Sequence, residues 1–124
     1  MAVRTSKLAH MLMVRSLVID LRKKGFRNTC ADLNGLARPP AVDGMPEDEV
    51  YVPDVTGDGS EHNVFEVETA DTIYDEHTAG QWKSFAAYAR QRNGKFWVVV
   101  PKGAAEDARW RLDKLDVSAD VLEI

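Results

Sequence analysis

Acidic side chains on two neighbouring segments of this chain have the types and spacing needed to hold a divalent metal ion. Asp54 lies in the run Val-Pro-Asp-Val, and Glu66 and Glu68 lie in the run Phe-Glu-Val-Glu-Thr beyond a Gly-Asp-Gly turn. Side chains of a strand alternate between its faces, so the two glutamates share one face. Carboxylates on adjacent strands can converge on one Mg²⁺ or Mn²⁺ ion. The simpler interpretation is an amphipathic strand with a solvated acidic face.

Composition and charge restrict the class of protein. The chain has 124 residues, of which 44% are hydrophobic and 29% charged, which is typical of a single globular domain covering 1–124. The one cysteine, Cys30, has no partner for an internal disulfide, so a cytoplasmic location is expected. The longest apolar run, residues 96–101, is far too short for a membrane span, and no membrane partner is expected. The net charge of −4 argues against non-specific coating of nucleic acid.

Hydrophobic periodicity and turn residues predict the elements that must position these carboxylates. In chain order they are helix 5–24, strand 26–33, strand 50–56, strand 63–69, helix 76–91, strand 95–100, helix 104–115 and strand 121–124. Glycine and proline predict an irregular segment from residue 35 to about residue 48. Residues 57–62 connect the second and third strands as an antiparallel hairpin. The order predicts an α/β domain with a mixed sheet flanked by helices.

This element order, with acidic residues around its second and third strands, resembles the PD-(D/E)XK nuclease-like superfamily. The motif residues are Pro53-Asp54 and Glu66-Val67-Glu68. The resemblance covers nearly the whole chain and implies a restriction-endonuclease-like α-β-β-β-α-β core, followed here by an extra helix and a short strand. It further implies that Asp54 and Glu66 bind Mg²⁺ or Mn²⁺ and that the substrate is DNA.

The third motif residue departs from this pattern. In the superfamily it is usually a lysine, which orients the attacking water and offsets charge at the phosphate, whereas this chain has Glu68. A third carboxylate favours divalent metal, so Glu68 is expected to assist as a ligand and metal dependence is expected to be strict. Lys83 is a poor replacement, because on a helix it lies about 200° around the axis from Gln81.

The resemblance also implies functional roles for two further polar side chains. Such nucleases often place a glutamine of the second helix beside the acidic cluster, which assigns this role to Gln81. Their first helix usually contributes a glutamate, and because no glutamate precedes Glu47, His10 is the expected substitute. The alternatives are an ordinary helix-face hydrogen bond for Gln81 and a packed side chain for His10.

Two functions therefore remain open from the sequence. The first is metal-dependent hydrolysis of DNA phosphodiesters, in which the metal polarises the phosphate and lowers the pKa of a bound water. The second is a catalytically silent nuclease-like scaffold that serves as a binding or assembly module, which the missing lysine and the net acidity favour. Trp82 is expected in the core. Trp110 falls outside the apolar face of the last helix and is a candidate contact in a homodimer or with a ligand.

Overall fold

The computed structural model describes residues 2–44 and 49–124, with side chains from residue 7 onward. Over these residues it is a mixed α/β structure in which three helices flank a five-stranded mixed sheet. The elements in chain order are α1 (Ala2–Lys23), β1 (Arg27–Ala31), β2 (Val42–Asp43), β3 (Val50–Tyr51), β4 (Val55–Asp58), β5 (His62–Val67), α2 (Glu76–Gln91), β6 (Lys95–Val100), α3 (Ala105–Leu115) and β7 (Asp120–Glu123).

The five-stranded sheet has the order β1-β4-β5-β6-β7. The pairs β1–β4 and β4–β5 are antiparallel, whereas the pairs β5–β6 and β6–β7 are parallel. Val55 at the start of β4 lies opposite Phe65 of β5. Continuing this register by one residue brings Asp54 beside Glu66, because directly opposed residues of an antiparallel pair share a face. The sheet therefore positions the first two motif carboxylates.

Helices cover both faces of the sheet. On one face α1 packs through a buried stripe of Val14, Leu17, Val18 and Leu21, and on the other α2 and α3 pack against β5 and β6. Strand β5 contributes to both cores, since Phe65 and Val67 face α1 while Val64 faces α2. The predicted alternation along this strand is thus confirmed. Glu66 shares the face of Val64 and is buried, so the interpretation of a solvated acidic face is wrong.

The predicted second strand, 50–56, is divided in the structure. Its first part, β3, pairs with β2 in a separate two-stranded sheet, and β4 begins only at Val55. Pro53 has no backbone N–H to donate to a ladder, and the strand is interrupted over residues 52–54. The segment predicted to be irregular contains β2, and its residues 45–48 lie outside the described residues.

Four later elements agree more closely with the pattern. Helix α2 and strand β6 have the predicted bounds, α3 begins one residue later than predicted, and β7 is shifted by one residue at both ends. Helix α1 spans Ala2–Lys23, against the predicted 5–24. Within the described residues, no helix combines the length and apolar character that a membrane span requires.

Candidate functional site

The five side chains predicted from the sequence line one cavity of about 350 Å³. His10 lies on α1 and Gln81 on α2. Asp54 lies just before β4, Glu66 lies in β5, and Glu68 directly follows β5. Other polar residues complete its wall: Lys7, Thr69, Thr72, Asp75, His77 and Thr78. Both of the helices expected at the site therefore contribute to it.

Asp54 and Glu66 form a buried pair of carboxyl groups, with 9% and 5% of their surface exposed. The backbone N–H of Asp54 donates to Glu66 Oε1 at 3.1 Å, and the backbone N–H of Val67 donates to Asp54 Oδ2 at 2.8 Å. The side chains of Asp54 and Glu66 also interact, and this interaction helps to raise the pKa of Glu66. Burial, reinforced by the charges of Asp54 and Glu68, raises the pKa of Glu66 well above its usual value. The pair therefore favours a shared proton or a bound cation.

His10 contacts this pair from α1. Its Nε2 lies 3.0 Å from Asp54 Oδ2. This hydrogen bond raises the pKa of His10, because the neighbouring carboxylate stabilises the imidazolium more than burial disfavours it. The side chain is thus a polar partner of Asp54 and not only a packed residue at the margin of the helix.

Glu68, which directly follows β5, accepts hydrogen bonds from two side chains. The hydroxyl of Thr72 donates to Glu68 Oε1 at 2.7 Å, and the indole Nε1–H of Trp82 donates to Oε2 at 3.0 Å. Glu68 is 4% exposed, and burial raises its pKa to about 7 although both donors favour the ionised form. Its two oxygens are therefore already bonded within the protein.

Trp82 and Thr72 are the site residues that the sequence did not reveal. Trp82 is in the core as predicted, with no exposed surface, but its N–H also needs an acceptor there. The signal in the sequence was its position beside Gln81 on α2, which brings the ring near the acidic strand. Nothing in the spacing of Thr72 indicated its contact with Glu68.

The carboxylates are not arranged as a preformed metal site. In the described part of the chain, no three His, Cys, Asp or Glu side chains are grouped so that they could hold a metal ion. The expected cluster of three carboxylates is thus absent there, because Glu68 is bonded to Trp82 and Thr72. Asp54 and Glu66 still provide hard oxygen donors of the kind that Mg²⁺ and Mn²⁺ bind, and a cation would relieve their repulsion.

Cationic side chains are placed as the helix geometry predicts. Lys83 is exposed, whereas Gln81 is half-buried and lines the cavity. Lys7, on α1, lines the cavity on the side of His10. Trp110 lies outside the buried face of α3, as predicted, and is 54% exposed. Its ring contacts Tyr74, and it does not line this cavity.

Comparison with protein-family models, curated proteins and solved structures gives no match for this chain. The resemblance to the PD-(D/E)XK superfamily therefore stays a prediction, and the chemistry of the cavity has to be inferred from its own geometry.

Proposed function

We propose that the protein hydrolyses DNA phosphodiester bonds with Mg²⁺ or Mn²⁺ held by Asp54 and Glu66, as a PD-(D/E)XK-type nuclease with glutamate in place of the motif lysine. The observation that carries this proposal is the buried Asp54–Glu66 pair, which shares one cavity with His10 and Gln81. Burial beside Asp54 raises the pKa of Glu66, and ionisable groups perturbed in this way within a cleft are concentrated at functional sites.

The metal, when bound, would polarise a phosphoryl oxygen and lower the pKa of a water molecule. The chain's own residues orient the ligands. The backbone N–H groups of Asp54 and Val67 fix the two carboxyl groups, and His10 holds Asp54 Oδ2 from the other side. Lys7 places positive charge beside the cavity, and His10 adds to this charge when it is protonated. This charge compensates in part for the missing lysine. The amide of Gln81 has N–H donors for a phosphate oxygen.

The test is DNA cleavage by purified protein in Mg²⁺, in Mn²⁺ and in EDTA, on single-stranded, duplex and branched DNA. Glu66→Gln is the most informative variant. The glutamine oxygen can still accept the N–H of Asp54 and its amide can donate to the Asp54 carboxyl, so the fold should persist while the ligand charge is lost. Glu106→Gln makes the same change at an exposed position of α3.

We expect cleavage that requires metal, is abolished by Glu66→Gln and is unaffected by Glu106→Gln. If a folded Glu66→Gln protein retained the parent's activity, the Asp54–Glu66 pair would not be the catalytic centre and the proposal would be rejected.

A catalytically silent binding or assembly module is the second candidate function. The observation that favours it is the bonding of both Glu68 oxygens to Trp82 and Thr72 at the position where nucleases of this type place lysine. A folded parent protein that cleaves none of the three DNA substrates in either metal would select this candidate.

A further inference from the structure

A second and larger cavity, a groove of about 680 Å³, runs along α1 between that helix and the loop that follows β1. Its floor is mainly apolar and includes Met11, Val18 and Leu36, while Arg15 and Arg22 lie along it. Both arginines are exposed, and neither forms an ion pair with another described residue. The groove thus combines unpaired positive charge with an apolar surface.

The groove adjoins the carboxylate cavity. His10 lines both of them. The opposite wall is also tied to the site, because the backbone N–H of Asp32 donates to the backbone carbonyl oxygen of Asp54 at 3.0 Å. Asp32 itself is paired with Arg38, at 3.5 Å between Arg38 Nε and Asp32 Oδ1, so it does not cancel the charge of the two groove arginines.

Three basic residues of α1 form a stripe. At about 100° and 1.5 Å per residue, Lys7, Arg15 and Arg22 lie within about 80° of one another and extend over about 22 Å of the helix axis. The chain as a whole has a net charge of −4, so this stripe is a local positive feature and not part of a basic surface. Its length allows it to contact several consecutive phosphates of one strand.

We infer that this groove holds a single, unpaired nucleic-acid strand and leads one of its phosphodiesters to the Asp54–Glu66 pair. The inference rests on the proposed function, because it names the substrate class of that site. Guanidinium groups bind phosphates, and the apolar floor suits the faces of unpaired bases. A duplex keeps its base faces stacked inside and would leave the accessible apolar surface of Met11 and Leu36 uncovered.

A second copy of the chain is the competing occupant, since Leu8, Leu12 and Ile19 are exposed on α1. A two-fold contact through this helix would, however, place the surface that carries Arg15 and Arg22 against the same surface of the second copy. Like charges oppose such a contact, whereas they favour a polyanion. The charge distribution therefore selects the nucleic-acid strand.

The test is binding of a labelled mixed-sequence oligonucleotide, single-stranded or annealed, measured by fluorescence anisotropy in Ca²⁺ over a range of salt concentrations. We expect the parent to bind the single strand more tightly than the duplex. Arg15→Gln with Arg22→Gln should weaken single-strand binding by roughly 25-fold at 0.1 M salt and reduce the slope of log K against log salt by about 1.4, because two phosphate contacts are lost.

The matched control is Lys23→Gln with Lys83→Gln, which changes the net charge equally at two exposed positions outside the groove. It should change binding by less than about twofold, because long-range effects of exposed charges are screened. Equal weakening by both double variants, or tighter binding of the duplex, would overturn the inference. A parent that sediments as a dimer and becomes monomeric on Ile19→Asp would also overturn it, because the groove would then be covered.

The outcomes separate this inference from the proposed function. If the parent binds single strands as expected but cleaves no DNA, the proposed function fails and the groove assignment stands. If the parent cleaves DNA and the groove variant retains both its binding and its KM, the groove assignment fails and the proposed function stands.

Discussion

Glu68→Gln should make the stability of the protein less dependent on pH. Burial raises the pKa of Glu68 from an unfolded-state value near 4.5 to about 7 in the folded protein. Between these values the folded state binds a proton that the unfolded state has released. The free energy of unfolding contributed by this group is therefore largest below about pH 4.5, falls as the pH rises toward 7, and levels off above it.

A pKa shift of this size corresponds to about 3 kcal/mol at pH 8. Glutamine carries no charge at any pH and can keep both contacts. Its Oε1 can accept from the indole of Trp82, while its amide donates to Thr72 Oγ1, whose hydroxyl can donate instead to the Thr69 carbonyl oxygen at 3.1 Å. Relative to the parent, the variant should thus gain up to about 3 kcal/mol between pH 4.5 and pH 8.

Urea unfolding at a series of pH values, in EDTA and followed by circular dichroism, measures this difference at a common m-value. Glu106→Gln, at an exposed position, should differ from the parent by an amount that hardly changes with pH. Glu66 and His10, whose pKa values are also raised, remain in both proteins, so the comparison is made between variant and parent at each pH. A Glu68→Gln difference that is as flat as that of the control would refute the reasoning.

Three further predictions concern Glu68, the Asp54–Glu66 pair and Gly94. Glu68→Lys should destabilise the fold by about 1–3 kcal/mol in urea unfolding. An ammonium group can only donate hydrogen bonds, so the buried Trp82 N–H would lose its acceptor. Stability equal to that of the parent would contradict this prediction. Millimolar Mn²⁺ should raise the thermal unfolding midpoint more at high pH than at low pH, because the raised pKa of Glu66 lets protons compete with the metal for its carboxyl group, and Glu66→Gln should remove most of the rise; a metal effect independent of pH would argue against the carboxylate site. Gly94→Ala should cost about 1–3 kcal/mol in the same unfolding measurement, because a Cβ there would lie 2.3 Å from the backbone oxygen of His62; an unchanged midpoint would show that this contact relaxes freely.

Local patterns predicted much of the fold. Helix α2 and strand β6 have the expected bounds because their signals, a 3.6-residue apolar period and a β-branched run, are contained within each element. The predicted extent of the second strand, 50–56, was wrong, because it depends on which strand each part pairs with. Residues 50–51 carry strand-forming side chains, but they pair with β2, and Pro53 separates them from the strand that reaches the site.

The sequence by itself determined that Glu66 and Glu68 share a face, because side chains alternate along any strand. It did not determine what that face meets. The Trp82–Glu68 and His10–Asp54 contacts join residues 14 and 44 positions apart, and they exist only because α2 and α1 pack against the sheet. Tertiary packing therefore decided that Glu68 is bonded within the protein and that Asp54 and Glu66 form the buried pair, since burial and long-range hydrogen bonds are properties of the assembled layers and not of any one segment.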